Sequence, residues 1–113
     1  MFTFHARKDD DFATDVTVVA ETLPDDSAII MAVARCGERD TFNRKLGRAI
    51  ASGRLNKFKL NMNVPKPGVF VCGVPLHLEM PMEKFFITRA RELAKEVANN
   101  KEFRGHTYRG KQR

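Results

Sequence analysis

Apolar residues in the first third of the chain follow patterns typical of β-strands. Phe2 and Phe4 alternate with polar neighbours, which predicts a short half-buried strand. Residues 16–20 are apolar and β-branched, which predicts a second strand that ends at the Pro-Asp turn signal in residues 23–26. Residues 28–34 are apolar on both faces, as expected of a central strand covered on two sides. The short separation of these two apolar runs predicts a β-hairpin.

The middle of the chain has the period of an amphipathic helix. Asp40 or Thr41 is suited to cap its N-terminus, and Gly53 is expected to end it. Gly47 in mid-helix costs about 1 kcal/mol relative to alanine, so either a molecule approaches the backbone there or the helix packs tightly on a sheet. The predicted core-facing stripe consists of Phe42, Leu46, Ala49 and Ile50.

A second set of elements follows toward the C-terminus. In residues 57–63, apolar side chains alternate with lysine and asparagine, which predicts a strand, and residues 69–72 predict the strand that returns beside it. Pro81 suits the first turn of a final helix, which Glu83 stabilises near its positive end and Asn99 ends. The predicted buried stripe of this helix consists of Met82, Phe86, Ala90, Leu93 and Val97.

These elements predict a single α+β domain over residues 1–100, in the order (β)ββα-ββα. We expect a small, mainly antiparallel sheet with both helices on one face, which leaves the other face partly open. A homodimer that covers this second face is the alternative. Residues 101–113 form a basic tail, expected to be mobile or ordered by a partner. A length of 113 residues fits one such core and excludes a TIM barrel or a full dinucleotide-binding fold.

Charge is distributed unevenly along the chain. Residues 1–34 hold two bases and seven acids, whereas residues 35–113 hold 18 bases and seven acids. The formal net charge of +6 therefore combines an acidic front with a strongly basic remainder. Such asymmetry indicates a polyanion or an acidic protein as partner, unless it serves solubility alone.

The strongest candidate site is the basic stretch over residues 35–59, where the predicted helix and strand could present positive charge on adjoining faces. Each phosphate that lysine or arginine neutralises releases counterions, and arginine also grips phosphate through its forked donors. The alternative is a solvated face whose arginine stems cover the edge of the core. The predicted phosphate-binding residues are Arg44, Lys45, Arg48, Arg54, Lys57 and Lys59.

The tail is a second candidate site because it mixes arginine, glycine and an aromatic residue. This composition suits single-stranded nucleic acid, since rings and guanidinium planes stack on bases while the charges follow the phosphates. A solvated terminus is the alternative. The predicted binding residues here are Arg104, Tyr108, Arg109 and Lys111.

Signals for metal or covalent chemistry are weak. Cys36 and Cys72 are too few for a disulfide scaffold, and no pair of cysteines or histidines has the spacing that holds one metal ion. A nucleophilic pair of a cysteine with His77 is conceivable, but both cysteines adjoin apolar strands, where inert buried thiols are common. We therefore predict that the protein is not an enzyme and uses no cofactor and no metal.

One stretch resembles proteins of known context. Residues 36–54 follow the pattern Cys-x3-Asp-x-Phe-x-Arg-Lys-x-Gly-Arg-x-Ile-Ala-x-Gly-Arg. The stretch resembles a segment of small, uncharacterised proteins of bacteriophages and prophages. No activity accompanies that segment, so no residue role transfers. The resemblance implies a viral protein that acts inside a bacterial cell, where such proteins handle nucleic acid or redirect a host protein.

The chain is thus predicted to be a small, basic, non-catalytic nucleic-acid-binding protein, for DNA or RNA, with weak sequence preference. The alternative is a phage-type interaction module that binds and modulates an acidic host protein, with a homodimer as a further option. The longest apolar run, residues 28–34, is far shorter than the ~20 residues that cross a bilayer, and the N-terminus does not resemble a signal peptide. We therefore expect no membrane contact and a cytoplasmic location.

Overall fold

Three consecutive antiparallel strands form the N-terminal part of the sheet. The computed structural model describes residues 1–8, 12, 14–36, 43–99 and 107–108. Strands β1 (Phe2–Ala6), β2 (Val16–Thr22) and β3 (Ala28–Cys36) each pair with the next. The predicted strands and the hairpin between β2 and β3 are therefore confirmed.

Helix α1 (Arg44–Leu60) begins later than predicted. Its N-cap is Asn43, whose side chain accepts a hydrogen bond from the Leu46 N–H at 3.0 Å. The predicted caps Asp40 and Thr41 lie outside the described residues, as does Phe42 of the predicted stripe.

The predicted strand over residues 57–63 is wrong, because α1 continues to Leu60. Phe58 is buried whereas Leu60 is 87% exposed, so the two side chains do not share a face as strand alternation would require. Gly53 does not end the helix. Beyond the adjoining helix backbone, nothing lies within 4 Å of the point where its Cβ would be, so Gly53 costs α1 only its propensity of about 1 kcal/mol. The buried line of α1 consists of Gly47, Ala51, Leu55 and Phe58.

The last strands both pair with β3. Strand β4 (Val69–Gly73) is antiparallel to β3, which gives the order β1-β2-β3-β4 and makes β3 central, as predicted. Helix α2 (Met82–Asn99) follows Pro81 and ends where the sequence indicates. The two-residue strand β5 (Thr107–Tyr108) runs parallel to the end of β3, on the side where β4 pairs.

The two helices lie on opposite faces of the sheet, so the prediction that both share one face is wrong. Because both faces of β3 are covered within one chain, burying β3 does not require a dimer. The core on the α1 side consists of Val19, Ile30, Ala32, Ala34, Cys36, Ala51, Leu55 and Phe58. The core on the α2 side includes Val16, Val18, Ile29, Met31, Val33, Phe85, Phe86, Ala90, Ala94 and Val97.

The α+β fold class is confirmed, with the order β1-β2-β3-α1-β4-α2 and β5 after it. A single strand, β4, stands where a strand pair was predicted. Of the predicted tail, the structure describes only residues 107–108. Within the described part of the chain, no helix combines the length and hydrophobicity needed to cross a membrane.

Candidate nucleic-acid interface

All six basic residues predicted between residues 44 and 59 lie on one helix, α1, rather than on a helix and a strand. A helix turns by about 100° per residue, so its buried line divides the exposed surface into two flanks. Arg44, Arg48 and Lys59 fall on one flank, and Lys45 lies further out on the same side. Arg54 and Lys57 fall on the other flank. The predicted set is therefore split by the core-facing side of α1.

The flank with Arg44 and Arg48 adjoins β1. The β1 side chains on the α1 face are Thr3 and His5, since Thr3 pairs with Val19, which belongs to the core under α1. Further along, the Ser52 hydroxyl of α1 lies 3.9 Å from the Met1 sulfur. This contact places the residue before β1 beside the middle of α1.

His5 marks the point where positive charges converge. Its Nδ1 lies 3.0 Å from the hydroxyl of Thr17, a fully buried polar residue on β2. Partial burial lowers the pKa of His5 below its usual 6.5, and the charges of Arg44, Arg48 and Arg7 lower that pKa further. Three guanidinium groups, one from the segment after β1 and two from α1, therefore act on one imidazole. We call His5, Arg7, Arg44 and Arg48 the His5 cluster.

His5 and Arg7 are the members of the His5 cluster that sequence reasoning missed, because the predicted binding residues all came from the basic stretch over residues 35–59 and from the tail. The strand period was the available signal, since Thr3, His5 and Arg7 alternate onto one face. The Arg7 Nε lies 3.2 Å from the Asp15 carboxylate, which also accepts the Lys8 backbone N–H at 2.9 Å. Asp15 thus orients Arg7 and offsets part of the charge of the cluster.

The start of α1 adds to this positive potential. The first turn of α1 contains no acidic residue, whereas Arg44 and Lys45 open the helix. Cations at the positive end of a helix dipole are unfavourable for the helix by itself, and an anion placed there would relieve the repulsion. Arg44, Lys45 and Arg48 are all exposed, so their charges are accessible from solvent.

Two other predicted residues are engaged in contacts within the chain. Arg54 is half-buried, and its Nη1 donates to the Val33 carbonyl oxygen at 2.7 Å. Burial lowers the pKa of Arg54, although the side chain stays charged at any physiological pH. Lys59 forms an ion pair with Glu21 at 2.7 Å. Lys57 is exposed on the flank away from β1.

The predicted tail residues Arg104, Arg109 and Lys111 lie outside the described residues. Tyr108 is described only by its backbone, which pairs with Cys36 in the parallel β5 register.

The arrangement is suited to hold an anion rather than a metal. Among the described residues, no group of three His, Cys, Asp or Glu side chains converges to hold a metal ion. Cys36 is buried, and the Cys72 sulfur lies 3.6 Å from the carbonyl oxygen of Gly73. The chemistry available at the His5 cluster is charge-assisted hydrogen bonding from guanidinium groups.

Comparison with known proteins adds no assignment. No protein-family model, no curated protein and no solved structure matches this chain. The functional interpretation therefore depends on the placement of Arg7, Arg44 and Arg48 around His5.

Proposed function

We propose that this protein binds the phosphate backbone of nucleic acid through the His5 cluster, with Lys45 beside it, and that it does so without catalysis. The observation that supports the proposal is that Arg7, which follows β1, and Arg44 and Arg48 of α1 all act electrostatically on His5. Arginine suits this role because its planar fork donates two parallel hydrogen bonds to phosphate oxygens.

The spacing of the arginines supports contact with successive phosphates. Arg44 and Arg48 are four residues apart on α1, which separates them by about 6 Å along the helix axis. His5 and Arg7 are two residues apart at the end of β1, and extended chain separates the Cα atoms of two such residues by about 7 Å. These separations fit neighbouring phosphates of one nucleic-acid strand far better than they fit a single small anion.

The expected binding is electrostatic and weakly selective for sequence. Phosphate contacts fix position but carry no direct sequence information. With Arg7, Arg44, Lys45 and Arg48 as contacts, log Kd should rise with log salt concentration with a slope of about 3 to 4 on duplex DNA. Lys59 and Arg54 should contribute less, because Glu21 and the Val33 carbonyl already hold them.

Fluorescence anisotropy with labelled duplex and single-stranded oligonucleotides at several salt concentrations tests the proposal. Arg48→Glu is expected to weaken binding at least tenfold and to lower the salt slope by about 1 to 2. Lys57→Glu is the matched control, because it makes the same charge change on the other flank of the same helix. Equal losses for both variants, or affinity without salt dependence, would refute a localised site.

Retention of proteins from a bacterial lysate, with and without nuclease, distinguishes the alternative function. Loss of bound material on nuclease treatment supports nucleic-acid binding. A stoichiometric protein that survives nuclease and is lost with Arg48→Glu would favour an acidic protein partner instead. In either case the proposed place of action is the cytoplasm, as the resemblance of residues 36–54 to phage proteins implies.

A further inference from the structure

Most of the exposed large apolar side chains of the described residues lie in one part of the chain. Eight such side chains are exposed, and six of them lie between residues 60 and 80, at the end of α1, on β4 and in the segments on either side of β4. Val71 on β4 is 57% exposed and Leu76 just after it is 97% exposed. The six are Leu60, Met62, Val64, Val71, Leu76 and Met80.

The register of β4 shows which of its backbone groups face away from β3. The Val33 N–H donates to the Gly68 carbonyl and the Val74 N–H donates to the Ser27 carbonyl, each at 2.9 Å. In an antiparallel ladder the bonded residues alternate, so even-numbered residues of β4 face β3. The N–H and C=O groups of Val71 and Gly73 therefore point outward from the sheet.

Natural edge strands are normally protected by charged residues, prolines or bulges. β4 has the sequence Val-Phe-Val-Cys-Gly and carries no charge. The opposite edge is different, because β1 is flanked by the His5 cluster. The sheet thus has one edge strand beside the arginines of the His5 cluster and one edge strand, β4, that carries no charge.

We propose that two copies of this chain associate by antiparallel pairing of β4 with β4, centred on Val71. The Val71 N–H of each copy would donate to the Val71 carbonyl of the other, and the Gly73 N–H would donate to the Val69 carbonyl. The Val69 N–H is already used, since it donates to the Lys66 carbonyl within the chain at 3.2 Å. Four hydrogen bonds thus form without any change in the fold, and the two Val71 side chains meet on the α1 face.

Charge and symmetry favour a second copy as the occupant of this edge. A two-fold axis through Val71 makes the contact self-complementary, with the same surface on both sides. The protein carries a net charge of +6, so repulsion between two copies is smallest where the contacting strands carry no charge. β4 itself carries no charge, whereas pairing through β1 would bring the arginines of both His5 clusters together.

Light scattering coupled to gel filtration, over a wide range of protein concentration and after nuclease treatment, tests the proposal. The expected result is a dimer at high concentration that Val71→Lys converts to a monomer. Ile87→Lys is the matched control, because Ile87 is an exposed apolar residue on α2, and this variant should remain a dimer. A wild-type protein that is monomeric at every concentration, or a dimer that Val71→Lys does not disrupt, would overturn the proposal.

Amide hydrogen exchange on the wild-type protein supplies a test that requires no variant. The Val71 and Gly73 amides should exchange rapidly when the protein is dilute and become protected when it is concentrated. The Phe70 and Cys72 amides, which face β3, should be protected at both concentrations. Protection of Val71 and Gly73 that does not depend on concentration would mean that the chain itself covers this edge, and the proposal would be wrong.

Discussion

Replacing Arg54 by methionine would separate a structural role for this side chain from the phosphate-binding role that the sequence predicts. Its guanidinium donates to the Val33 carbonyl at 2.7 Å. β4 pairs with β3 as far as Ala32, and β5 begins opposite Arg35, so this carbonyl faces the gap between the two strands. Methionine keeps an unbranched apolar stem but donates no hydrogen bond.

The magnitude follows from the burial of the acceptor. Val33 is fully buried, so water cannot readily replace the lost donor. Hydrogen bonds that involve a charged group contribute about 1.5–3 kcal/mol to stability, and the half-buried position of Arg54 puts the expected loss near 2 kcal/mol. With a urea slope of about 2 kcal/mol/M for a small protein, the unfolding midpoint should fall by about 1 M. Urea unfolding followed by circular dichroism measures this shift.

Lys57→Met provides the control, since Lys57 is an exposed residue on the same flank of α1. Its effect on stability should stay within about 0.5 kcal/mol. Arg54→Met should also bind duplex DNA with wild-type affinity under conditions in which it is folded. An unchanged urea midpoint together with weakened DNA binding would contradict this reasoning and would return Arg54 to the phosphate-contacting set.

Further predictions concern titration, the core and a surface ion pair. The pKa of His5 is lower in the folded state than its usual 6.5. As the pH falls below 6.5, the unfolded chain therefore takes up a proton at His5 more readily than the folded protein, and the free energy of unfolding decreases. NMR titration of the His5 ring should give a midpoint below 6.5 that rises in Arg48→Gln and rises when DNA binds. Phe86 is 1% exposed and stacks on Phe2 at 5.4 Å between ring centroids, so Phe86→Ala should cost about 3–5 kcal/mol in thermal or urea unfolding. Lys59→Ala breaks an exposed ion pair and should cost no more than about 1 kcal/mol while leaving DNA affinity within twofold.

The strands could be predicted from the sequence where alternation and burial agree. Residues 28–34 are apolar on both faces, and β3 is indeed covered by a helix on each side. The strand prediction for residues 57–63 was wrong because these residues fit both the strand period and the helical period. Strand alternation pairs Phe58 with Leu60, whereas the helical spacing of Ala51, Leu55 and Phe58 continues the buried line of α1. The second pattern prevails because it extends an existing helix through good helix formers.

The candidate site could be predicted only in part, because sequence gives the residues of a helix flank but not their neighbours. Arg44 and Arg48 are four residues apart, so the helical period alone predicts that they share a flank of α1. That Arg54 reaches the Val33 carbonyl, and that Lys59 reaches Glu21, depends on how α1 lies across the sheet. Arg7 joined the His5 cluster for the same reason, since it directly follows β1 and is far from α1 in sequence.

Salt concentration distinguishes the two proposed surfaces, because they depend on different interactions. Contacts between the His5 cluster and phosphates weaken as the salt concentration rises, because the release of counterions into solution is then less favourable. Pairing through β4 depends on backbone hydrogen bonds and apolar burial, which salt screens little, and a rise in salt also weakens repulsion between two copies of a +6 chain. Dimerisation should therefore persist or strengthen at salt concentrations that abolish DNA binding. If both are lost together, the copies are held by bridging DNA rather than by their β4 edges, and the two surfaces are not independent.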